Sequence, residues 1–327
     1  MYYVDGFGQK EVAKRLGVSR PTVSRLLQRA RDLNIVNISI QGSLSSCLET
    51  ERLLCSVGGL SEAVVVPTPE SEEGLKAALA HGAAWYLDTH IDAIRTLAVG
   101  WGSTVSLIPS YVRKRKSKRL RCVTEVFGSL TSGPSAYQPI RLAMALASLY
   151  GVDTVGIPAP AIVFDSKVRK VLLGDRQIRQ ALDLAFQADL MLVSVGTADD
   201  TSTMVSTGFL TTADVARLHE LGAVGDILAR YYDVQGRHIE SPFEGRVVGL
   251  TLEELAGLKG VMAVAGGAAK LESIVGAIRG RFIQKLVTDE QTGREVVRVL
   301  MADGGRSGSL PEMASVSDLQ TEPTVTR

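Results

Sequence analysis

Apolar residues recur at helical spacing near the start of the chain. Val12, Ala13 and Leu16 share one face of Gln9–Leu16, and Val23, Leu26, Leu27 and Ala30 share one face of a second stretch that runs to about Leu33. Gly17 separates them, because glycine accepts the left-handed backbone that ends a helix. Ser19 is placed to cap the second helix, and Pro21 lies in its first turn, where a missing N–H costs nothing. The β-branched alternation of Ile35–Ile40 predicts a strand, either a wing or the start of the link onward.

From about Leu48 the pattern changes. Short apolar runs at Ala63–Val66, Thr96–Val99, Val123–Phe127, Leu190–Val195, Val261–Ala265 and Ile283–Val287 read as strands. Helical stretches at 72–88, 138–149, 175–187, 211–221 and 268–279 lie between several of them. Strands alternating with helices predict an α/β, Rossmann-like fold with a parallel sheet covered by helices. No apolar run reaches the ~18 residues that span a bilayer. After Asp303 the chain turns to Gly, Ser, Thr and Pro, which bury too little apolar surface to order themselves. The expected organisation is a helix-turn-helix module at 1–42, an α/β domain at 43–303 and a disordered tail at 304–327.

Composition narrows the picture. The 327 residues are 45% apolar and 22% charged, the range of soluble globular proteins. Met1 to Gln9 lacks the basic start and apolar core of a secretory signal, so a cytoplasmic protein is expected. Cys47, Cys55 and Cys122 are odd in number and show no C-x-x-C spacing, which predicts reduced thiols with no disulfide framework, metal site or cofactor. The net charge of +1 conceals an asymmetry. Residues 1–40 carry seven basic and three acidic side chains, a net +4, which leaves −3 for the rest. A basic head suits a polyanion.

The two N-terminal helices and their tight turn form a helix-turn-helix, whose second helix enters the major groove of DNA. That helix projects Ser19, Arg20, Thr22, Ser24, Arg25, Gln28 and Arg29. Arginine grips guanine O6 and N7, glutamine pairs with adenine, and the hydroxyls and remaining cations suit phosphates. The expected partner is double-stranded operator DNA. Such heads usually read two half-sites, so a homodimer or homotetramer is expected.

A second set of residues suits anions. The strand Thr96–Val99 runs into Gly100-Trp101-Gly102-Ser103-Thr104, where backbone and hydroxyl donors could approach phosphate oxygens. It is neither a Walker A loop nor a full dinucleotide fingerprint. Asp226 closes Gly222-Ala-Val-Gly-Asp226 and could accept from sugar hydroxyls; Lys270 follows the strand end Gly266-Gly267 and could meet a phosphate. Taken singly, each reads more readily as a turn, a turn cap or a solvated lysine.

The string YYVDGFGQKEVAKRLGVSRPTVSRLLQRARDLNIVNI resembles the N-terminal module of the SorC family of bacterial sugar-responsive regulators, often described with DeoR-type proteins. WGST, Pro158-Ala-Pro160, Ala188-Asp-Leu190, the Gly196 strand end, GAVGD, AVAGGAAK and LVTDE (Leu286–Glu290) recur in that family's effector domain in the same order. The resemblance covers about residues 1–302. It implies an effector domain on the sugar-phosphate isomerase fold, without catalysis, that binds a phosphorylated sugar or polyol as inducer. Carried over by position, Gly100, Gly102, Ser103, Thr104 and Lys270 would hold phosphate and Asp226 the sugar. Gln138, opening the helix after the Gly-rich segment 128–133, would face the same pocket. One departure is Val193-Ser-Val-Gly196, where the family more often has Gly-Ile-Gly. The basic run Arg113–Arg121 matches no motif and reads as a solvated loop.

The expected function is therefore a transcription regulator of a carbohydrate-utilisation operon, with operator affinity set by a phosphorylated sugar. The same residues also admit an enzyme, a sugar-phosphate isomerase or aldolase-like protein, with Lys270 forming a Schiff base and Asp226 acting as base. A basic helix-turn-helix head has no place in that alternative. A pure oligomeric scaffold would leave both Gly-rich loops unexplained.

Overall fold

The computed structural model describes residues 1–2, 7–32, 44–129 and 138–304. The expected strand at Ile35–Ile40, much of the Gly-rich segment 128–133 and the tail from residue 305 lie outside the described residues.

The head contains helices Gln9–Leu16 and Arg20–Asp32. Gly17 takes φ +64°, and its N–H and that of Val18 reach back to carbonyls of the first helix. Val12, Ala13 and Val23 form the small core, with Tyr2, Phe7 and Leu27 against it. Leu26, placed on the apolar face by its spacing, is 52% exposed, and Val18 in the turn between the helices is 38% exposed. At 100° per residue Leu26 lies about 60° to one side of Val23 and Leu27 about 40° to the other, and only the Leu27 side meets the first helix, so helical spacing alone overstated the width of the buried stripe.

The remaining described chain is built on a seven-stranded sheet in the order β1-β11-β10-β5-β2-β3-β4. Its strands are β1 (Glu62–Val66), β2 (Thr96–Val99), β3 (Cys122–Glu125), β4 (Asp153–Val155), β5 (Leu190–Val193), β10 (Val261–Val264) and β11 (Lys285–Asp289), paired in parallel throughout. The central strands are continuous apolar runs because helices cover both faces. Leu97, Val99, Leu190, Leu192, Met262 and Val264 join the core under helices Glu72–His90 and Pro139–Tyr150. Their neighbours Ala98, Met191, Val193 and Ala263 point the other way, into a core shared with helices Leu271–Arg279 and Glu290–Gly304. Helix Leu44–Gly58 covers the outer edge of β1, where Glu51 accepts the Val65 N–H at 2.8 Å.

A small antiparallel sheet is inserted between β5 and β10: β6 (Gly196–Thr197), β7 (Gly225–Ile227), β8 (Arg230–Tyr232) and β9 (His238–Ile239), in that order. Strands of two or three residues are too short to show a period, and none was expected from the sequence. Elsewhere boundaries shift slightly: Ile283–Val287 becomes Lys285–Asp289, and the stretch 268–279 divides into a short 3-10 turn, Ala268–Lys270, and the helix Leu271–Arg279.

Strand order places the site. From β2 the chain moves outward to β3 and β4, then returns to β5 on the opposite side of β2. The order reverses between β2 and β5, and ligands on open α/β sheets bind beyond the carboxyl ends of strands at such a point.

Candidate functional site

Beyond the carboxyl ends of β2, β5 and β10, a narrow cavity of ≈ 40 Å³ is lined by Gly102, Ser103, Ser194, Gly196, Asp226 and Lys270, with Trp101, Val195, Thr203 and Met204 completing its wall. Four of the seven expected site residues meet there: Gly102, Ser103, Asp226 and Lys270. Gly100, Thr104 and Gln138 are not in this lining. The Gly100 N–H continues the sheet by donating to Leu192 O at 2.8 Å. Thr104 is 5% exposed and begins the 3-10 turn Val105–Ser110. Gln138 is the N-cap residue of Pro139–Tyr150 and is half-buried.

Each wall is fixed locally. Gly102 takes φ +140°, and a Cβ there would lie 2.3 Å from Ser194 Oγ. Only glycine lets these two strand ends meet. Asp226 on β7 is held over Gly196 on β6, where a Cβ would fall 2.1 Å from Asp226 Oδ1. Lys270 follows the Gly266-Gly267 loop, which buried Asp289 fastens. Asp289 Oδ1 accepts the Gly267 N–H at 2.9 Å, and its Oδ2 accepts from Thr68 Oγ1 at 2.8 Å. That is the local reason for the Asp in the Leu286–Glu290 motif.

The electrostatics are those of a partly dry site. Asp226 is 5% exposed, and burial pushes its carboxyl up to about 6, opposed by the Ala229 N–H and by Lys270. Lys270 is half-buried as a residue, but its ammonium is enclosed and donates to Val195 O at 2.7 Å. Burial lowers its pKa, with the nearby Asp226 acting in the opposite direction. The two charges do not form an ion pair within 4 Å, so each retains capacity for a third group.

Two features were not foreseen. Ser194 Oγ is buried beside Gly102 without a hydrogen-bond partner. A buried unsatisfied hydroxyl costs ~1–3 kcal/mol, which a ligand acceptor would recover. The second is the turn joining β7 and β8. Its central residues, Leu228 and Ala229, adopt φ +56° and +61°, the left-handed region, although neither is glycine. Asp226 Oδ2 accepts the Ala229 N–H at 3.0 Å and helps to hold the turn. Leu228 in turn closes over Gly100, where a Cβ would be 3.0 Å from its Cδ2. Left-handed backbone costs a non-glycine residue roughly 1–2 kcal/mol. Ala229→Gly should therefore raise the denaturant midpoint, by up to about 1 kcal/mol in stability after glycine's extra unfolded-state entropy is subtracted. An unchanged or lower midpoint would show that the turn is unstrained.

On the head, Ser19 caps the second helix, accepting the Thr22 N–H at 3.3 Å, and its Oγ lies 2.8 Å from Thr22 Oγ1. Arg20, Ser24, Arg25, Gln28 and Arg29 are exposed, and Thr22 is half-buried. At 100° per residue Arg25 lies opposite the Val23–Leu27 core, flanked by Gln28 and Arg29. Arg20 lies at the helix start, nearer the core side.

Comparison with known proteins places both halves. The Sugar-bind family, described as "Putative sugar-binding domain", matches residues 43–298, and Sigma-70, region 4, matches residues 1–33. The erythritol catabolism regulatory protein EryD of Brucella abortus is 28% identical over 300 residues, 91% of this chain and 94% of that protein. The transcriptional regulator LsrR of Klebsiella pneumoniae is 31% identical over 301 residues, 90% of each chain. The full-length sorbitol operon regulator SorC from Klebsiella pneumoniae superposes with a TM-score of 0.74 at 24% identity, covering 90% of this chain and 95% of that one.

Proposed function

The chain belongs to the family of SorC/DeoR-type sugar-binding transcriptional regulators, and on that premise we propose that a phosphorylated sugar or polyol binds the cavity between β2, β5 and β10 and sets the affinity for operator DNA. One observation carries this reading: a cation, a carboxylate, an orphan hydroxyl and a glycine-walled loop converge at the point where strand order reverses. Lys270 and the Gly102–Ser103 loop suit the phosphate, and Asp226 and Ser194 suit hydroxyls. The relatives' names point to control of a carbohydrate-utilisation operon, and a cytoplasmic, non-enzymatic protein follows from that role.

The pocket is narrow and Lys270 is tied to the Val195 carbonyl, so a phosphate that engages the ammonium competes with that bond. Coupling to DNA is bounded by the ligand's differential affinity for the two arrangements of the protein, typically about 1–3 kcal/mol. A thermal-shift screen over phosphorylated sugars and polyols, against their unphosphorylated forms, tests the reading. Stabilisation by phosphorylated members alone is expected; preference for free sugars would overturn the phosphate assignment.

The head reads DNA as a pair on two half-sites, so a homodimer or homotetramer is the working form. Arg25→Ala should weaken operator binding by about 1–3 kcal/mol, the range for a side chain that reads a base edge, and Arg20→Ala by less. Fluorescence anisotropy on an operator duplex checks this. Equal, wild-type affinity in both variants would remove the second helix from the groove.

A further inference from the structure

The structure assigns a second DNA-binding element to this chain, the basic loop Arg113–Arg121 at the end of the sheet opposite the cavity. Seven of its nine residues are Lys or Arg. The loop precedes β3, so it lies at the amino ends of the strands, away from the site described above.

The loop is anchored along its backbone. Val112 and Leu120 are buried at its two ends, at 7% and 3% exposure. The Arg115 and Ser117 N–H groups donate to the carbonyls of Leu149 and Tyr150, at the end of Pro139–Tyr150. The Arg115 guanidinium turns inward onto Asp92 Oδ2 at 2.9 Å and the Asp88 carbonyl at 2.9 Å, and Asp92 Oδ1 also receives the Lys118 N–H at 2.9 Å. With one arginine serving as an anchor, Lys114, Lys116, Lys118, Arg119 and Arg121 stand exposed and form no ion pair within 4 Å among the described residues. Exposed Arg95 lies alongside, its carbonyl accepting the Arg121 N–H.

The acids in the neighbourhood do not neutralise this ridge. Asp88 and Asp92 are engaged by Arg113 and Arg115, and Asp189 accepts the N–H groups of Arg95 and Thr96. Asp153, exposed and paired in register with Cys122, makes no ion pair with the loop among the described residues. Residues 41–327 carry −3 in all, and without this loop they carry −10. The positive charge is therefore local, on a body that would otherwise repel nucleic acid.

Duplex DNA is the occupant the charges favour. Lysines present point charges without base geometry, which suits backbone phosphates and carries no sequence information. A head bound to its operator raises the local concentration of flanking phosphates, so even weak phosphate pairing adds to affinity. The inference rests on the head binding DNA.

The test is a salt titration of full-length protein on random-sequence duplexes of about 20 and about 60 base pairs, comparing wild type with Lys114→Gln/Lys116→Gln/Lys118→Gln. On the longer duplex the variant should bind at least several-fold more weakly, with the slope of log K against log salt flattened by roughly 2–3. On the shorter one, filled by the heads, the difference should vanish. Arg25→Ala serves as the control for the head. If wild type binds neither random duplex at low salt, DNA binding by the loop is refuted, and a titration of wild type on operator DNA shows separately whether the head reads its site. If wild type binds and the loop variant matches it in affinity and slope on both lengths, DNA binding by the loop is refuted. Loss of self-association with unchanged DNA binding would likewise refute it and assign the loop to an acidic face of a second copy.

Discussion

Lys270→Met is expected to abolish the sugar response while leaving ligand-free operator binding and folding stability intact. Charge-assisted hydrogen bonds contribute ~1.5–3 kcal/mol, so removing the ammonium should weaken a phosphorylated effector by roughly 10- to 100-fold. The folded state should not suffer. Burial already disfavours the charged ammonium, as its lowered pKa records, and methionine fills a similar volume without that penalty. The substitution removes the bond to Val195 O and the attraction between Lys270 and Asp226, so the Asp226 carboxyl should rise further. Thermal melts with and without a phosphorylated ligand identified by the screen, together with operator titrations, separate the outcomes. A normal response would exclude Lys270 from the site. A large drop in melting temperature without ligand would make it a structural residue instead.

Gly196→Ala should damage both stability and sensing. The new Cβ would fall 2.1 Å from Asp226 Oδ1 and 3.1 Å from its Cγ, so the carboxylate must move. Asp226 also holds the Ala229 N–H in the left-handed turn, and moving it releases that restraint. Overpacking of this kind costs typically 1–3 kcal/mol. The effector response should be lost as well, since the carboxylate no longer points into the cavity. Gly174→Ala, where no atom lies within 4 Å of the added carbon, is the control and should stay within about 0.5 kcal/mol of wild type. Denaturant melts of both variants decide it. If Gly196→Ala is as stable and responsive as Gly174→Ala, the close approach of β6 and β7 does not matter to the site.

The helix-turn-helix is written in the amino-acid order alone, because a helix stop at Gly17, a cap at Ser19 and the polar face around Arg25 are local features. So are most strands of the large sheet. β2, β5 and β10 lie buried on both faces, and such strands read as unbroken apolar runs. Gly102, Ser103, Asp226 and Lys270 were legible as candidates for anion or sugar binding because each lies close to glycines in the sequence. Their meeting in one cavity was not legible. It depends on the β5–β2 and β5–β10 pairings between strands far apart in the chain, and on the small β6–β9 sheet whose strands are too short for any periodicity. Ser194 shows the difference most clearly. In the chain it is one departure from a familiar strand end. Only packing against Gly102 makes it a buried hydroxyl without a partner. Gly100, Thr104 and Gln138 show the reverse: correct neighbours by motif, turned by local geometry to hydrogen bonding in the sheet and to helix starts. The basic loop was visible as charge, but its anchoring to Asp88, Asp92 and a distant helix end is a tertiary fact, because a charge run in isolation has no fixed direction.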